Sequence, residues 1–168
     1  LFDYFKTKKY FNALSGKWHL GRSHFKPSGV DYHFGIHHWQ GNHNENYEYV
    51  FNGDLLNLDG NKSEFVTDHA IKFLNSYLDK QIFLKIGYIA THSPYTQQSH
   101  DPNITKLYQN NNFFELPVYK AHPWVKNEGT PNHPTEEELR DRYIGYYSSV
   151  TEIDRNIKRI INHLDKIN

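Results

Sequence analysis

Two short segments of the sequence carry residue types suited to binding an anion and moving a proton. In the first, Lys17 and His19 stand between Gly16 and Gly21, directly after a predicted strand. A lysine ammonium is a compact charge that suits an anion, and an imidazole donates or accepts a proton near neutral pH. In the second, His92 follows another predicted strand. If the two strands are neighbours in one sheet, the three side chains meet at its carboxyl edge, where they suit an anionic substrate and proton transfer to a leaving group.

Each of these residues also has an ordinary structural interpretation. Lys17 fits a surface lysine, and His92 fits a histidine that caps or lines a loop. The histidines between residues 33 and 43 are spaced too irregularly for a convincing zinc site. Ser15 and Ser93 lack the surrounding Gly-x-Ser-x-Gly turn of a serine nucleophile. No metal ligands are therefore predicted in the chain. An anion site is the one interpretation that accounts for both the Lys17 segment and the His92 segment.

Patterns of apolar residues indicate the elements that position these segments. Residues 10–15 predict a short strand, and the nearly continuous apolar run at residues 82–89 predicts a buried strand in which Lys85 is the one awkward member. Residues 63–80 place apolar side chains along one face of a helix. Residues 22–46 show a period of neither 2 nor 3.6, which predicts a loop.

The end of the sequence gives the clearest signal. At residues 135–168, Thr135 and Glu138 form a capping box, and apolar residues then recur alternately four and three positions apart. This pattern predicts a long helix that covers a sheet, although a coiled-coil seam fits the spacing equally well. Asn52-Gly53 predicts a tight hairpin turn. The order helix, strand, helix, strand, helix predicts an α/β fold in which helices cover both faces of the sheet.

The composition argues against several classes of protein. The 168 residues include 19 Lys+Arg and 19 Asp+Glu, so the chain lacks the excess of cations that nucleic-acid binding or a polybasic membrane surface requires. No run of about 18 apolar residues occurs, which argues against a membrane span. Without cysteine, the chain has no disulfide, no Cys-ligated zinc and no cysteine nucleophile. The 13 Tyr, 11 Phe and 3 Trp indicate a packed core, and the length fits one domain.

Six segments, in order, resemble the type I sulfatases, a formylglycine-dependent, arylsulfatase-like family of the alkaline phosphatase superfamily. The hexapeptide GKWHLG at residues 16–21 matches the second signature of that family without a substitution. The other segments resemble the P-x-x-x-G-F-D-x-F-x-G stretch, a hairpin, the T-D-x-A-I-x-F-I helix, the F-F-L-Y-L-A-x-x-A-P-H-x-P strand and loop, and a long helix, at residues 27–35, 52–53, 67–74, 83–94 and 142–157. Thr91 replaces the proline that usually precedes the histidine of that loop.

The resemblance implies an alkaline-phosphatase-like fold, with part of a mixed β-sheet in this chain, and hydrolysis of a sulfate ester. In the family, a formylglycine hydrate attacks sulfur, and calcium and lysines stabilise the sulfate oxygens. Carried over by position, Lys17 contacts the sulfate, and His19 hydrogen-bonds the formylglycine hydroxyl. His92 binds the ester near its leaving oxygen and can protonate it. The resemblance also implies a periplasmic, secreted or lysosomal protein.

Parts of the family's site do not occur in this sequence. The C/S-x-P-x-R motif that yields formylglycine is missing, and so is the early Asp-Asp pair that binds calcium. We therefore expect calcium and formylglycine in a longer parent protein, with ligands for neither in this chain. The absence of Met supports the same interpretation. Residues 1–168 are predicted to be a single domain, the central portion of a sulfatase catalytic domain, inactive alone and with the remainder of that domain as partner.

The loop at residues 37–49, which includes His43 and Tyr47, is predicted to form one wall of the substrate cleft. His37, His38 and Trp39 join Lys17 and His92 as the predicted substrate-binding residues. A sulfated small molecule or carbohydrate is the expected substrate. Trp39 and Tyr47 either stack on a sugar or aryl ring or pack beneath the loop. Two other functions stay open: a phosphodiesterase or phosphonate hydrolase of the same superfamily, and a non-catalytic degenerate sulfatase that binds anions. The residue at the nucleophile position of the parent protein separates them.

Overall fold

The computed structural model describes residues 1–22, 24–36, 44–113, 116 and 134–167. Helices in these ranges are α1 at Phe2–Thr7, α2 at Lys62–Ser76, α3 at Pro102–Thr105 and α4 at Glu136–Ile167, with a 3-10 turn at Gln97–Ser99. The strands are β1 at Phe11–Gly16, β2 at Tyr32–Ile36, β3 at Asn44–Phe51, β4 at Asp54–Asn61 and β5 at Ile82–Gly87. The strands predicted before Lys17 and before His92 are both confirmed, as β1 and β5.

The five strands form one mixed sheet in the order β4-β3-β2-β1-β5. β1 lies between β2 and β5 and runs parallel to both, whereas β3 is antiparallel to β2 and β4 is antiparallel to β3. Parallel neighbours need a crossover connection, and α2 carries the chain from β4 across the sheet to β5. The predicted α/β class, with part of a mixed sheet, is therefore confirmed.

Helices cover both faces of this sheet, as the sequence predicts. Ala13 and Leu14 are consecutive residues of β1, so their side chains point to opposite faces. On one face, Ala13 belongs to a buried cluster with Phe34 of β2 and Phe73 of α2. On the other face, Leu14 packs in a second cluster with Phe2 of α1. The central strand is thus held by apolar contacts from both sides.

The hairpin between β3 and β4 turns where the sequence predicts. Asn52 and Gly53 both adopt positive φ, at 51° and 109°. Asparagine and glycine tolerate this region best, which is why this dipeptide is typical of two-residue hairpin turns. Asn52 also binds across to β2, since its Oδ1 accepts a hydrogen bond from the N–H of His33 at 2.9 Å. The turn therefore connects β3 to β4 and is also hydrogen-bonded to the neighbouring strand β2.

The predicted loop over residues 22–46 is wrong for part of its length. β2 occupies Tyr32–Ile36, and β3 begins at Asn44. Every residue of β2 is buried, and His33 is among them. Because both faces of this strand are covered, its sequence shows no alternation of polar and apolar residues. The pattern that identifies a half-buried strand is therefore missing here.

The capping box at the start of α4 is confirmed. The N–H of Glu138 donates to Thr135 Oγ1 at 3.2 Å, and the N–H of Thr135 donates to Glu138 Oε2 at 2.8 Å. The helix packs against α2, α3 and the 3-10 turn. None of the helices in the described part of the chain combines the length and the apolar character that crossing a bilayer requires.

The apolar stripe of α4 does not cover the sheet as the sequence predicts. Of its predicted members, four are between 37% and 44% exposed, namely Tyr146, Val150, Ile157 and Leu164. The other four are half-buried, namely Leu139, Tyr143, Ile153 and Ile160. Ile161, beside the predicted stripe, is 52% exposed. Apart from Ile144, the buried face of α4 carries small and polar residues, namely Gly145, Ser148, Ser149, Glu152 and Asn156. The reason is close backbone packing, since a Cβ on Gly145 would lie 1.7 Å from the carbonyl oxygen of Tyr95. Small residues let α4 approach that segment, and several of its apolar side chains are left at the surface.

Candidate functional site

The carboxyl ends of β1 and β5 lie side by side. Gly16, the last residue of β1, is paired with Gly87, the last residue of β5. One residue further, the N–H of Lys17 donates to the carbonyl oxygen of Gly87 at 2.7 Å. The loop that carries Lys17 and the loop that carries His92 therefore leave the sheet at the same edge. This confirms that the two predicted strands are neighbours.

Glycine is required on both strands at this point. Gly16 has a φ of +99°, and a Cβ there would lie 2.1 Å from the carbonyl oxygen of Gly87. A Cβ on Gly87 would lie 2.3 Å from the carbonyl oxygen of Lys17. No real Cβ tolerates such distances. The lysine loop thus rests directly on the backbone of β5, which explains the glycine that opens the GKWHLG segment.

Lys17 is half-buried at this edge. Burial lowers the pKa of its ammonium group below the usual value. A charge that is partly removed from water interacts more strongly with a neighbouring anion than a fully hydrated charge does. The position therefore suits contact with a tetrahedral oxyanion.

The two predicted catalytic histidines are both exposed. His19 lies two residues after Lys17 in the GKWHLG loop. His92 lies in a turn after β5, closed by its own N–H, which donates to the carbonyl oxygen of Ile89 at 2.9 Å. Ser93 Oγ lies 3.1 Å from His92 Nδ1 and can orient the ring. The convergence of Lys17, His19 and His92 on one anion stays a prediction.

The predicted substrate-binding residues His37, His38 and Trp39 lie outside the described residues. The strand that follows them is described, and it extends past the end of β2, whose last residue is paired with Tyr49 of β3. Tyr47 lies in this extension. Lys62 Nζ lies 3.9 Å from the centroid of its ring, a cation–π contact that favours packing as the role of Tyr47.

No group of three or more His, Asp or Glu side chains that can hold a metal ion is found in the described part of the chain. The sequence also offers no cysteine and no C/S-x-P-x-R motif. The residues described here therefore do not fit the calcium or the formylglycine of the resembling family.

Sequence reasoning missed the contribution of Lys85. Its Nζ donates a hydrogen bond to the carbonyl oxygen of Lys17 at 2.7 Å. The available signal was a charged residue within the apolar run of β5, which the sequence explains equally well by an edge position or by a side chain that reaches solvent. The structure shows instead that this side chain reaches the loop of Lys17.

The family model described as Sulfatase matches residues 1–168. Three solved structures are similar to the chain in fold. BT4656, in complex with its substrate D-glucosamine-2-N,6-O-disulfate, shares 19% identity with a TM-score of 0.72, covering 98% of this chain and 46% of that one. The yidJ protein of Bacteroides fragilis shares 19% identity with a TM-score of 0.76, covering 99% of this chain and 40% of that one.

The third structure, BT33494S-sulf, is described in connection with the metabolism of multiple glycosaminoglycans by Bacteroides thetaiotaomicron. It shares 18% identity with a TM-score of 0.73, covering 99% of this chain and 38% of that one. No curated protein sequence matches the chain significantly. This chain spans less than half the length of each of the three similar structures. At these identities, the likeness establishes the fold.

Proposed function

Because this chain belongs to the sulfatase family, we propose that the polypeptide containing it hydrolyses sulfuric esters. Residues 1–168 contribute Lys17, His19 and His92 to the active site in this proposal. One observation carries the assignment of these residues: the N–H of Lys17 is bonded to the last residue of β5, Gly87, at 2.7 Å. That bond sets the lysine loop beside the loop of His92, at the edge where α/β sheets bind ligands.

The three side chains divide the work at the ester. Lys17 faces the sulfate oxygens and stabilises the negative charge that develops on them in the transition state. When the sulfur–oxygen ester bond breaks, the electron pair stays on the leaving oxygen, and His92 donates a proton to it. His19 hydrogen-bonds the attacking group and helps to release sulfate. Formylglycine and calcium, which the family uses, belong to other parts of the polypeptide in this proposal.

A sulfated carbohydrate is the proposed substrate class. The support is the fold shared with BT4656, which binds D-glucosamine-2-N,6-O-disulfate as its substrate. His37, His38 and Trp39 are proposed to line the cleft on the side where β3 extends past the end of β2. Tyr47 is assigned to packing beside Lys62.

The rest of the sulfatase domain is the proposed partner of residues 1–168. β5 is paired on one side only among the described residues, and its six positions are all half-buried. The stripe of α4 formed by Tyr146, Val150, Ile157, Ile161 and Leu164 is exposed. Further strands and helices of one catalytic domain would cover both features, and the similar structures have more than twice the length of this chain.

The test is an ester hydrolysis assay on the full polypeptide, with calcium, using a sulfated glucosamine, an aryl sulfate and an aryl phosphodiester. We expect sulfate release. Lys17→Met should lower kcat/KM about a hundredfold or more, and His92→Gln by a similar factor. Lys72→Met is the matched control, because that lysine lies on α2 with its Nζ over the ring of Phe51 at 5.0 Å.

Each of the other functions gives a different result in this assay. Faster turnover of the phosphodiester than of either sulfate would assign phosphoryl chemistry instead. Binding of sulfate without turnover of any ester would indicate a degenerate, non-catalytic protein. Full activity of Lys17→Met would remove the central residue of the proposal.

A further inference from the structure

We propose that Lys85 is a positioning residue for the candidate site, and that its ammonium group fixes the backbone from which Lys17 and His19 project. This inference rests on the proposed function, since it assigns a role at the same site. Lys85 lies in β5, two residues before Gly87, the last residue of that strand. Its neighbour in the sheet is Leu14 of β1.

Both main-chain polar groups of Lys17 are bound to β5. Its N–H donates to the carbonyl oxygen of Gly87 at 2.7 Å, and its carbonyl oxygen accepts from Lys85 Nζ at 2.7 Å. The first bond fixes the amide side of the residue. The second bond fixes the carbonyl side as well, so the side chains of the loop project from a backbone that is held at two points.

The strand is shaped to admit this ammonium group. A Cβ on Gly87 would lie 2.6 Å from Lys85 Nζ and 2.3 Å from the carbonyl oxygen of Lys17. Any other residue at position 87 would therefore separate the two groups. The absence of a side chain there is what allows Lys85 to reach the loop along the surface of its own strand.

Lys85 also contacts an aromatic ring. Its Nζ lies 5.6 Å from the centroid of the Trp18 ring, within the range of a cation–π contact. Burial lowers the pKa of the group. A half-buried ammonium is costly unless it is well bonded, and a hydrogen bond from a charged donor is stronger in such surroundings than in water. An apolar residue could still pack against Trp18 but would lose the cation–π contact and the hydrogen bond, and only the hydrogen bond holds the backbone of Lys17.

A direct role in sulfate binding is the competing interpretation of a lysine near an anion site. The geometry separates the two, because the ammonium is engaged by the loop backbone and by Trp18. A residue that binds substrate changes KM when it is removed. A residue that orients Lys17 and His19 changes mainly kcat, because small displacements of acting groups are expensive in the transition state.

The experiment compares Lys85→Met and Lys85→Gln with the wild-type full polypeptide. Methionine keeps most of the length and volume of the lysine side chain but has no donor. Glutamine keeps an uncharged N–H donor on a side chain that is one atom shorter. We expect Lys85→Met to lower kcat roughly tenfold to a hundredfold at nearly constant KM, and Lys85→Gln to retain part of the lost rate. Lys72→Met is the control, since it removes a lysine that also lies over an aromatic ring but on α2.

A second measurement reads the backbone directly and does not depend on turnover. Hydrogen exchange of the Lys17 amide, which is bonded to Gly87, should accelerate roughly tenfold in Lys85→Met and stay unchanged in Lys72→Met. Global stability, from urea unfolding, identifies any variant that loses its fold. If Lys85→Met does not fold, Lys85→Gln is compared with the wild type instead.

The possible outcomes are distinct. A Lys85→Met protein with wild-type kcat, or with unchanged exchange at Lys17, overturns the positioning role. A rise in KM alone also overturns it and assigns Lys85 to substrate binding. If the wild type hydrolyses no ester, the proposed function fails, and the exchange of the Lys17 amide alone decides whether Lys85 holds the loop.

Discussion

Gly87 has no side chain, and the backbone of Lys17 lies in the space that one would take. At the scale of single residues, the site therefore depends on glycines before it depends on charges. The sequence identifies Lys17, His19 and His92 from their chemical types, because a type is visible without a structure. It does not identify the hydrogen bond from Lys85 to the Lys17 carbonyl, because 68 positions of chain separate the two residues.

His69 gives the residue-scale prediction, a loss of stability in acid. Its ring stacks on the ring of Phe34, with the two ring centroids 3.7 Å apart, and its Nδ1 lies 3.0 Å from the hydroxyl oxygen of Tyr32. Burial, together with the nearby charge of Lys72, lowers the pKa of His69 to about 4, against the opposing effect of Asp68. As the pH falls, His69 takes up a proton in the unfolded chain before it does so in the folded protein. Its contribution to the free energy of unfolding is therefore complete above about pH 6.5 and is lost as the pH falls toward 4.

Because the ring is partly exposed and solvent screens its charge, we expect a loss of about 1 to 2 kcal/mol between pH 7.5 and pH 4.5. Urea unfolding of the full polypeptide at pH 7.5 and at pH 4.5 measures it. His69→Phe should show a smaller difference between the two pH values, whereas the exposed His19→Phe should keep the wild-type difference. Equal acid sensitivity in wild type and His69→Phe would contradict the assignment.

At the scale of elements, local signals succeed and non-local packing fails. The hairpin at Asn52 and the capping box at Thr135 are predicted because their cause lies within a few residues of chain. β2 is missed because burial on both faces removes the alternation that identifies a strand. The orientation of α4 is missed because a small residue, Gly145, decides which face approaches the segment of Tyr95. Periodicity shows that a helix is amphipathic but not which side contacts its neighbour.

The turn between β3 and β4 gives the element-scale prediction. Asn52 has a positive φ, and its Oδ1 accepts from the N–H of His33. Asn52→Ala loses the hydrogen bond and strains the backbone, so we expect it to lower the free energy of unfolding by about 2 kcal/mol. Asn52→Gly loses the bond but relieves the strain, and about 1 kcal/mol is expected.

Urea denaturation of the two variants measures both contributions, and Asn52→Asp is the matched control because it keeps an acceptor oxygen. We expect Asn52→Asp to be the mildest of the three changes. If Asn52→Gly is as destabilised as Asn52→Ala, the backbone contribution is absent and the cost belongs to the side-chain bond alone.

At the scale of the whole molecule, two surfaces are left uncovered by the residues that the structure describes. β5 has one paired neighbour among the described residues, and α4 presents its apolar stripe to solvent. Exposed strand edges and large apolar patches promote association. We therefore expect residues 1–168, prepared alone, to bind a hydrophobic dye such as ANS, to self-associate with rising concentration, and to show no turnover of an aryl sulfate with added calcium.

A triple substitution separates the α4 stripe from general instability. Val150→Gln, Ile157→Gln and Ile161→Gln together should reduce dye binding and association while the helical circular dichroism is kept, because all three side chains are at least 42% exposed. The control replaces exposed polar residues of the same helix, Asp154, Lys158 and Asp165, by Gln and should leave both readouts unchanged. Weak dye binding by the unaltered chain, or equal effects of the two triple variants, would show that the stripe needs no cover. Turnover of the aryl sulfate by residues 1–168 alone would place the whole catalytic apparatus in this chain.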